Sequence, residues 1–203
     1  MNGKLITFEG IDGSGKTTIA KIVYENLKKD GMKVILDCEP TKSWLGEAVK
    51  RSYNENVSKF TEAFLFMADR ATHVLKIKEF LEQNKIVLLD RYYDSTIAYQ
   101  GVNLKELLAK VGIDSFEWLI EINKVFTITP KITFLLIIDP KLSLKRVSKR
   151  GKHTEFEKLE FLKEVQNNYL RLAKIEKRFI KLDARKSVEE LVKEVLKYIH
   201  HEI

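Results

Sequence analysis

Residues 4–18, KLITFEGIDGSGKTT, decide the fold of this 203-residue chain. The apolar stretch Lys4–Glu9 is typical of a buried strand that ends at a glycine. The eight residues from Gly10 to Thr17 fit the pattern G-x-x-x-x-G-K-[ST] of a phosphate-binding loop. From Lys16 to Lys29, apolar side chains recur at helical spacing. A strand, a glycine-rich loop and a helix in this order predict a nucleotide-binding α/β protein.

The residue types of the loop suit a bound polyphosphate. Glycines let backbone N–H groups converge on a phosphate, and the N-terminus of the following helix adds partial positive charge. Lys16 can reach the β- and γ-phosphates, and the Thr17 hydroxyl can bind Mg²⁺. An ordinary glycine-rich turn with a capping hydroxyl would not explain a lysine beside three glycines. The predicted ATP site of the loop comprises Gly10, Ile11, Asp12, Gly13, Ser14, Gly15, Lys16, Thr17 and Thr18.

Strand-like and helix-like segments alternate along the rest of the chain. Further strands are predicted at Val34–Asp37, Ile86–Asp90, Ile132–Ile138 and Phe179–Leu182. Further helices are predicted at Trp44–Ser52, Ser58–Gln83, Ser95–Lys110, Asp114–Asn123, Lys141–Arg150, Phe156–Glu176 and Val188–His201. This alternation is typical of a parallel sheet covered by helices on both faces. The sequence therefore predicts a three-layer α/β P-loop fold with a central sheet of about five strands, formed by one domain over residues 1–203.

The composition narrows the classes of protein and partner. Hydrophobic residues make up 44% and charged residues 32% of the chain, which excludes a disordered tail and a disulfide scaffold. The apolar runs are too short to span a membrane. A single cysteine, Cys38, favours a reducing cytoplasm. The net charge of +7 indicates an anionic partner, either a nucleic acid or a phosphorylated small molecule.

Two polar residues mark the end of the strand Ile86–Asp90. Asp90 lies at its C-terminal end, where it can face a Mg²⁺ ion beside the loop. Arg91 follows directly, and its forked guanidinium can bind a phosphate that does not belong to ATP. The chain has neither the N-K-x-D motif of GTPases nor the D-E pair of many ATPase motors. A carboxylate for metal and an arginine for a second phosphate indicate phosphoryl transfer between two nucleotides.

Five segments, in order, resemble the thymidylate kinases, a family of P-loop nucleoside monophosphate kinases. They are FEGIDGSGKTT at 8–18, EPT at 39–41, LFMADR at 65–70, DRYYDSTIAYQG at 90–101 and RVSKRG at 146–151. The resemblance covers nearly the whole chain. It implies Mg²⁺-dependent, in-line phosphorylation of dTMP to dTDP by ATP, a step of dTTP biosynthesis. It also implies a homodimer. With the composition, it leads us to expect a cytoplasmic protein with no nucleic-acid or membrane partner.

Three residues of the acceptor site follow from the resemblance and from helix geometry. Asp12 would contact the 3′-hydroxyl of the deoxyribose, Phe66 would stack on thymine, and Arg70 would reach the acceptor's phosphate and base edge. Phe66 and Arg70 are four residues apart, so one helix face can present both. From the residues alone, Asp12 is also consistent with a solvated loop position and Phe66 with a core position.

The resemblance assigns four further acceptor-binding residues, and for Thr96, Tyr99 and Gln100 it is the only basis. Arg91 would bind the thymidylate phosphate, and Thr96 and Gln100 would line the base. Tyr99 would crowd C2′ of the sugar and disfavour a ribose hydroxyl. Without the resemblance, this segment indicates only the start of a helix with one polar face.

The segment 141–152 is rich in basic residues, which can be interpreted in three ways. It is a solvated helix face, a nucleic-acid contact, or a lid at about residues 141–156 that closes over ATP. No aromatic residue lies among the cations up to residue 153, which disfavours nucleic acid. The variable positions of the loop carry no cation, and phosphoryl transfer commonly uses an arginine finger. The predicted catalytic residues are therefore Lys16, Asp90, Arg91, Arg146 and Arg150, with Lys149 as a third lid candidate.

The resemblance is to members of the family whose catalytic arginine comes from the lid. Mg²⁺ would be bound by Thr17 and Asp90. Arg146 would also contact ATP, and Arg185, after the last strand, would contact adenine. No general base is needed, because a nucleoside monophosphate is mostly dianionic at pH 7. None of the four histidines lies in a motif with partners typical of a base.

One position departs from the family pattern. Cys38 stands before Glu39-Pro40, where many members have an arginine, and Lys42 is a possible substitute for it. Two other interpretations therefore stay open. One is a kinase of the same fold with another acceptor, such as dUMP, another deoxynucleotide or a nucleoside. The other is a non-catalytic P-loop nucleotide-binding module.

Overall fold

A parallel sheet of five strands organises the molecule. The computed structural model describes residues 3–147 and 155–202. Its strands are β1 (Lys4–Glu9), β2 (Val34–Cys38), β3 (Ile86–Asp90), β4 (Ile132–Ile137) and β5 (Phe179–Asp183). They lie in the order β2-β3-β1-β4-β5, and every neighbouring pair is parallel. The predicted α/β fold with a central parallel sheet is confirmed.

Helices connect the strands. Within the described residues they are α1 (Lys16–Lys29), α2 (Trp44–Ser52), α3 (Lys59–Glu82), α4 (Tyr93–Ala109), α5 (Ser115–Lys124), α6 (Pro140–Val147), α7 (Glu155–Ile175) and α8 (Val188–Glu202). Helices α3 and α5 begin one residue later than predicted, because Ser58 and Asp114 cap them and are not part of them. The predicted end of the helix Lys141–Arg150 lies outside the described residues.

Helix α4 begins at Tyr93, two residues earlier than the sequence predicts. Its N-cap residue, Tyr92, provides no side-chain cap. The Glu9 carboxylate at the end of β1 accepts hydrogen bonds from the Tyr92 N–H and the Ser95 hydroxyl, both at 2.7 Å. A carboxylate from another element thus caps the helix and permits the early start.

The sheet is buried on both faces. Phe8 of β1 stacks on Phe134 of β4, with ring centroids 5.5 Å apart, and Phe134 also contacts Tyr198 of α8. On the opposite face, Leu89 of β3 packs with residues of α3 that include Ile77. Adjacent residues of a strand point to opposite faces, which explains the nearly continuous apolar runs of β1, β3 and β4.

Strands β1 and β3 lie side by side at the centre of the sheet, and this brings two loops together. Phe8 is in register with Asp90, and the Arg91 N–H donates to the Phe8 carbonyl at 3.0 Å. Gly10 and Arg91 therefore leave the same edge of the sheet next to each other. Ligands of parallel α/β sheets bind at this carboxyl edge.

Candidate active site

The phosphate-binding loop has the backbone that its glycines predict. Gly10 has a φ of +143°, and a Cβ atom there would lie 2.6 Å from the Leu136 carbonyl oxygen. Gly15, with a φ of +95°, precedes α1 in the left-handed conformation. Between them, the Ser14 N–H donates to the Ile11 carbonyl at 3.2 Å. Only glycine fits the first position without moving backbone atoms, so this part of the motif is required by the fold.

Lys16 lies inside the loop, with 6% of the residue exposed. Its Nζ donates to the Ile11 carbonyl at 3.4 Å and lies 3.9 Å from Asp12 Oδ1. Burial and the positive charge of Arg91 lower the pKa of Lys16 to about 8. Nearby phosphate oxygens would favour the charged form of the amine.

Thr17 and Asp90 meet beside the loop, as predicted for the metal site. The Thr17 hydroxyl donates to Asp90 Oδ2. The other carboxylate oxygen, Oδ1, is buried and has no hydrogen-bond partner among the described residues. A hydroxyl and a carboxylate oxygen fit Mg²⁺, which in phosphoryl-transfer sites takes one or two carboxylates and leaves other positions to phosphate and water. Within residues 3–147 and 155–202, no group of three or more acidic, His or Cys side chains forms another candidate metal centre.

A cavity of about 760 Å³ adjoins the loop and lies between α3, α4 and α7. Its volume is typical of small-molecule sites. All seven residues predicted to bind the acceptor line it, namely Asp12, Phe66, Arg70, Arg91, Thr96, Tyr99 and Gln100. The Thr96 hydroxyl oxygen is buried without a partner in the described part of the chain. The structure thus brings the whole predicted acceptor set together in one cavity.

Sequence reasoning missed several lining residues, including Glu39, Tyr53 and Glu62. A signal for Glu62 was present, because it precedes Phe66 by four residues, as Phe66 precedes Arg70. Residues at this spacing share one face of a helix.

Arg91 lies between the loop and the cavity. Its backbone is in the left-handed region, with a φ of +72°. Its guanidinium donates to the Gly10 carbonyl at 3.3 Å and to the Ser95 hydroxyl at 2.9 Å, and it pairs with Asp12 Oδ1. It also lies 5.1 Å from the centre of the Tyr99 ring. The predicted phosphate-binding arginine is therefore held at the edge of the cavity that faces the loop.

Asp12 joins the loop to the same cluster. Burial opposes its ionisation, but the charges of Arg91 and Lys16 hold the pKa of Asp12 below its ordinary value. Its backbone N–H donates to the Tyr99 hydroxyl at 3.1 Å. Asp12 thus contacts residues of the cavity while its side chain stays 54% exposed, so it is both paired and partly solvated.

The Glu9 carboxylate lies behind Arg91 and is fully buried. It accepts from the Tyr92 N–H, the Ser95 hydroxyl and, at 2.8 Å, the Tyr169 hydroxyl. Burial and the charge of Asp94 raise the pKa of Glu9 to about 7. This carboxylate therefore connects β1 and α7 to the start of α4, where Arg91 is held.

Arg70 is almost fully buried, and its guanidinium is bound on several sides. It donates to Glu39 Oε2 at 2.8 Å, to the Asn123 side-chain oxygen at 3.2 Å and to the Tyr92 carbonyl at 3.2 Å. Arg70 is also one of the residues that line the cavity. These bonds fix its plane, which favours the predicted contact with a base edge.

His73, one turn after Arg70 on α3, completes this cluster. Its Nδ1 lies 3.0 Å from Glu39 Oε1, and its Nε2 lies 3.3 Å from Asp37 Oδ2. Burial disfavours the imidazolium, but the two carboxylates outweigh it and raise the pKa of His73 to about 9. His73 lies in no sequence motif with these carboxylates, as predicted, because both are more than 30 residues distant, and only the fold brings them together.

Helix α6 also contacts the phosphate-binding loop. The Ser143 hydroxyl donates to the Asp12 carbonyl, and Arg146 Nη1 donates to the Gly13 carbonyl at 3.2 Å. The predicted lid arginine Arg146 is therefore at the loop. Arg150 and Lys149 lie outside the described residues.

The remaining predicted positions lie at the edges of the site. Arg185 follows β5 and pairs with Asp183 at 2.7 Å, at the surface. Cys38 ends β2 beside Asp90, and the Lys42 side chain near it is exposed. Burial and the neighbouring carboxylates raise the pKa of the Cys38 thiol, so this position carries a neutral side chain at neutral pH.

Together, the phosphate-binding loop, the carboxylate beside it and the adjoining cavity define a P-loop phosphotransferase of nucleotides. Comparison with known proteins then identifies the family. The family model described as Thymidylate kinase matches residues 8–195. The probable thymidylate kinase of Methanosarcina barkeri is 45% identical over 98% of this chain and 97% of that protein. The probable thymidylate kinase of Pyrococcus horikoshii is 39% identical over 100% and 98% of the two chains. The chain belongs to the thymidylate kinase family.

Proposed function

We propose that the protein transfers the γ-phosphoryl group of ATP to dTMP and releases ADP and dTDP, a step of dTTP biosynthesis. As a member of the thymidylate kinase family it is a phosphotransferase. The observation that carries the proposal is the position of the cavity. The cavity adjoins the phosphate-binding loop. Arg91, which is hydrogen-bonded to the Gly10 carbonyl, lines it at the side that faces the loop.

The two phosphates would meet among cations that surround the phosphate-binding loop. Lys16 and Arg146 contact the loop that would bind ATP, and Arg91 would bind the acceptor phosphate. The acceptor is already a nucleophile at neutral pH, since its second pKa is near 6. Catalysis then depends on alignment of the two phosphates and on stabilisation of charge on the transferred group. A general base has no part in this scheme.

Kinases of this kind use ATP with a divalent metal, and we propose Mg²⁺ held by Thr17 and Asp90. The metal would neutralise negative charge on the phosphates. The unpartnered Asp90 Oδ1 supports this assignment. We expect Asp90→Asn to raise the Mg²⁺ concentration needed for half-maximal rate.

The far end of the cavity suits a pyrimidine base. Phe66 offers an aromatic face and is 6.3 Å from the Tyr53 ring. Arg70 and Gln100 offer polar groups at the base edge, and Tyr99, beside Arg91, would lie near the sugar. A stacked base with polar groups at its edge is the usual arrangement of small-molecule sites.

We also propose that two copies of the chain pair through α3. The single cysteine favours the cytoplasm as their location. The exposed side of α3 carries Phe64, which is 50% exposed and contacts Trp118 of α5, and Leu75, which is 60% exposed. Exposed apolar side chains along one helix face are typical of an interface. Sedimentation equilibrium would test this, and a monomer at micromolar concentration would contradict it. Of the helices in the described part of the chain, none has the length and hydropathy of a membrane span.

The test of the proposed activity is ADP release from ATP and Mg²⁺ with a panel of acceptors. The panel contains dTMP, dUMP, UMP, CMP, AMP and thymidine, and Lys16→Ala is the control variant. We expect turnover with dTMP, weaker turnover with dUMP, and at least a hundredfold lower rate in the variant. Activity on another acceptor alone would show that Cys38 marks a change of substrate. Silence with every acceptor would favour a nucleotide-binding module.

A further inference from the structure

One contact in the cavity has no part in the scheme above. Gln100 Nε2 of α4 donates a hydrogen bond to Glu62 Oε1 of α3, at 3.1 Å. Both residues line the cavity, and Gln100 is 4% exposed. The contact joins residues that are 38 positions apart, so it depends on the packing of the two helices.

This contact determines which end of the Gln100 amide is free. A side-chain amide has a donor end, NH₂, and an acceptor end, the carbonyl oxygen. A carboxylate has only acceptor oxygens, so Glu62 can bind the NH₂ end alone. The oxygen Oε1 is then the end that Gln100 offers to a bound base. Without Glu62, rotation by 180° about the last bond would exchange the two ends at little cost.

Arg70 provides the complementary group. A guanidinium has only donors, and three bonds to Glu39, Asn123 and Tyr92 fix it at the cavity wall. The cavity therefore offers one donor and one acceptor of fixed identity. A 4-keto pyrimidine, with a ring N3–H and an O4 oxygen, matches them. A 4-amino pyrimidine has an N3 lone pair and an NH₂ group at the same positions, and it meets both with the wrong polarity.

We propose that Glu62 determines the base specificity of the acceptor site by holding the Gln100 amide in the orientation that accepts a hydrogen bond. Glu62 is a positioning residue, because it acts through Gln100. It selects a thymine or uracil ring and rejects a cytosine ring, since unpaired or opposed polar groups in a closed site are costly. This inference rests on the proposed function, in that Gln100 must face the base of a nucleotide acceptor.

The test compares kcat/KM for dTMP and for dCMP in the wild type and in Glu62→Gln. Glutamine is nearly isosteric, but its amide can donate as well as accept, so the Gln100 amide becomes free to turn. We expect the ratio of kcat/KM for dTMP over dCMP to fall at least about tenfold, the worth of one hydrogen bond, with a gain on dCMP. Glu79→Gln, at an exposed position of the same helix, is the matched control and should keep the wild-type ratio.

The ratio is measured in one sample and does not depend on the fraction of protein that is folded. A second variant, Glu62→Ala, also removes the constraint and should lower the ratio in the same direction. An unchanged ratio in both variants, or loss of activity on both nucleotides in both, would overturn the proposal. Failure of the proposed function is distinguishable, because the wild type itself would then not use dTMP.

Discussion

The charged contact behind Arg70 predicts how the stability of the protein depends on pH. His73 is 3% exposed and lies between Glu39, at 3.0 Å, and Asp37, at 3.3 Å. Glu39 in turn binds Arg70 at 2.8 Å. Loss of the His73 proton leaves the two carboxylates without the positive charge between them, so folding should become less favourable as the imidazolium titrates.

The size of the effect follows from the shift in pKa. The pKa of His73 rises from 6.5 to about 9 on folding. Because one pKa unit corresponds to 1.36 kcal/mol, protonated His73 contributes about 3 kcal/mol. A raised pKa gives stability that is complete below pH 6.5 and lost as the pH rises through 9. Lys16 changes the stability of the fold with pH in the opposite direction. Its pKa is lowered to about 8, so burial of its charged form destabilises the protein below pH 8 and this effect is lost at higher pH. The effect of His73 is therefore measured as the difference in unfolding free energy between the wild type and a His73 variant. Lys16 is present in both proteins, so its contribution cancels.

The variant is His73→Gln, and the measurement is the free energy of unfolding in urea at pH 6 and at pH 10. We expect the advantage of the wild type over the variant to be about 3 kcal/mol larger at pH 6 than at pH 10. His200→Gln, which removes an imidazole from the surface of α8, should show no comparable change. An advantage of equal size at both pH values would refute the reasoning that the two carboxylates hold a proton on His73.

Two further predictions concern the groups around the phosphates. Replacing Arg146 with alanine should lower kcat at least about a hundredfold with a small change in KM for the acceptor, because the guanidinium at the loop is expected to act on the transferred group. Steady-state kinetics measures this, with Lys141→Ala as the control. An unchanged kcat in Arg146→Ala would count against the prediction. The stability deficit of Glu9→Gln relative to the wild type should be larger at pH 5 than at pH 8. The raised pKa of Glu9 gives the wild type stability that is complete below about pH 4.5 and is lost as the pH rises through 7. Urea unfolding at the two pH values measures the deficit, and a deficit that grows with pH would contradict the prediction.

The elements of the fold were predictable because their signals are local. The strands β1, β3 and β4 are buried on both faces, so their runs of apolar residues appear directly in the sequence. The caps Ser58 and Asp114 explain why α3 and α5 begin one residue later than their polar starts suggest. The early start of α4 was not predictable, because its cap is Glu9, a residue 83 positions from Tyr92.

The same distinction applies to the site. The residues Phe66, Tyr99 and Gln100 belong to motifs, and the structure places them in one cavity. The residues that hold cavity side chains act through contacts between separate elements, as Glu62 does with Gln100 and Glu39 does with Arg70. The spacing of Glu62, Phe66 and Arg70 places Glu62 on the same helix face, but its contact with Gln100 joins residues 38 positions apart and leaves no pattern in the sequence. The sequence therefore indicated which residues line the cavity better than which residues hold them in position.

The position of Arg91 shows how the fold prepares the site before a substrate arrives. A left-handed backbone conformation costs a non-glycine residue about 1 kcal/mol or more, so surrounding contacts must maintain it. The Glu9 carboxylate does this indirectly, because it caps α4 and holds Ser95 and Tyr169, both of which contact the Arg91 guanidinium. Glu9 is also the last residue before the phosphate-binding loop. One buried carboxylate thus fixes the loop and Arg91 relative to each other, and the alignment of two phosphates in the proposed reaction requires this kind of rigidity.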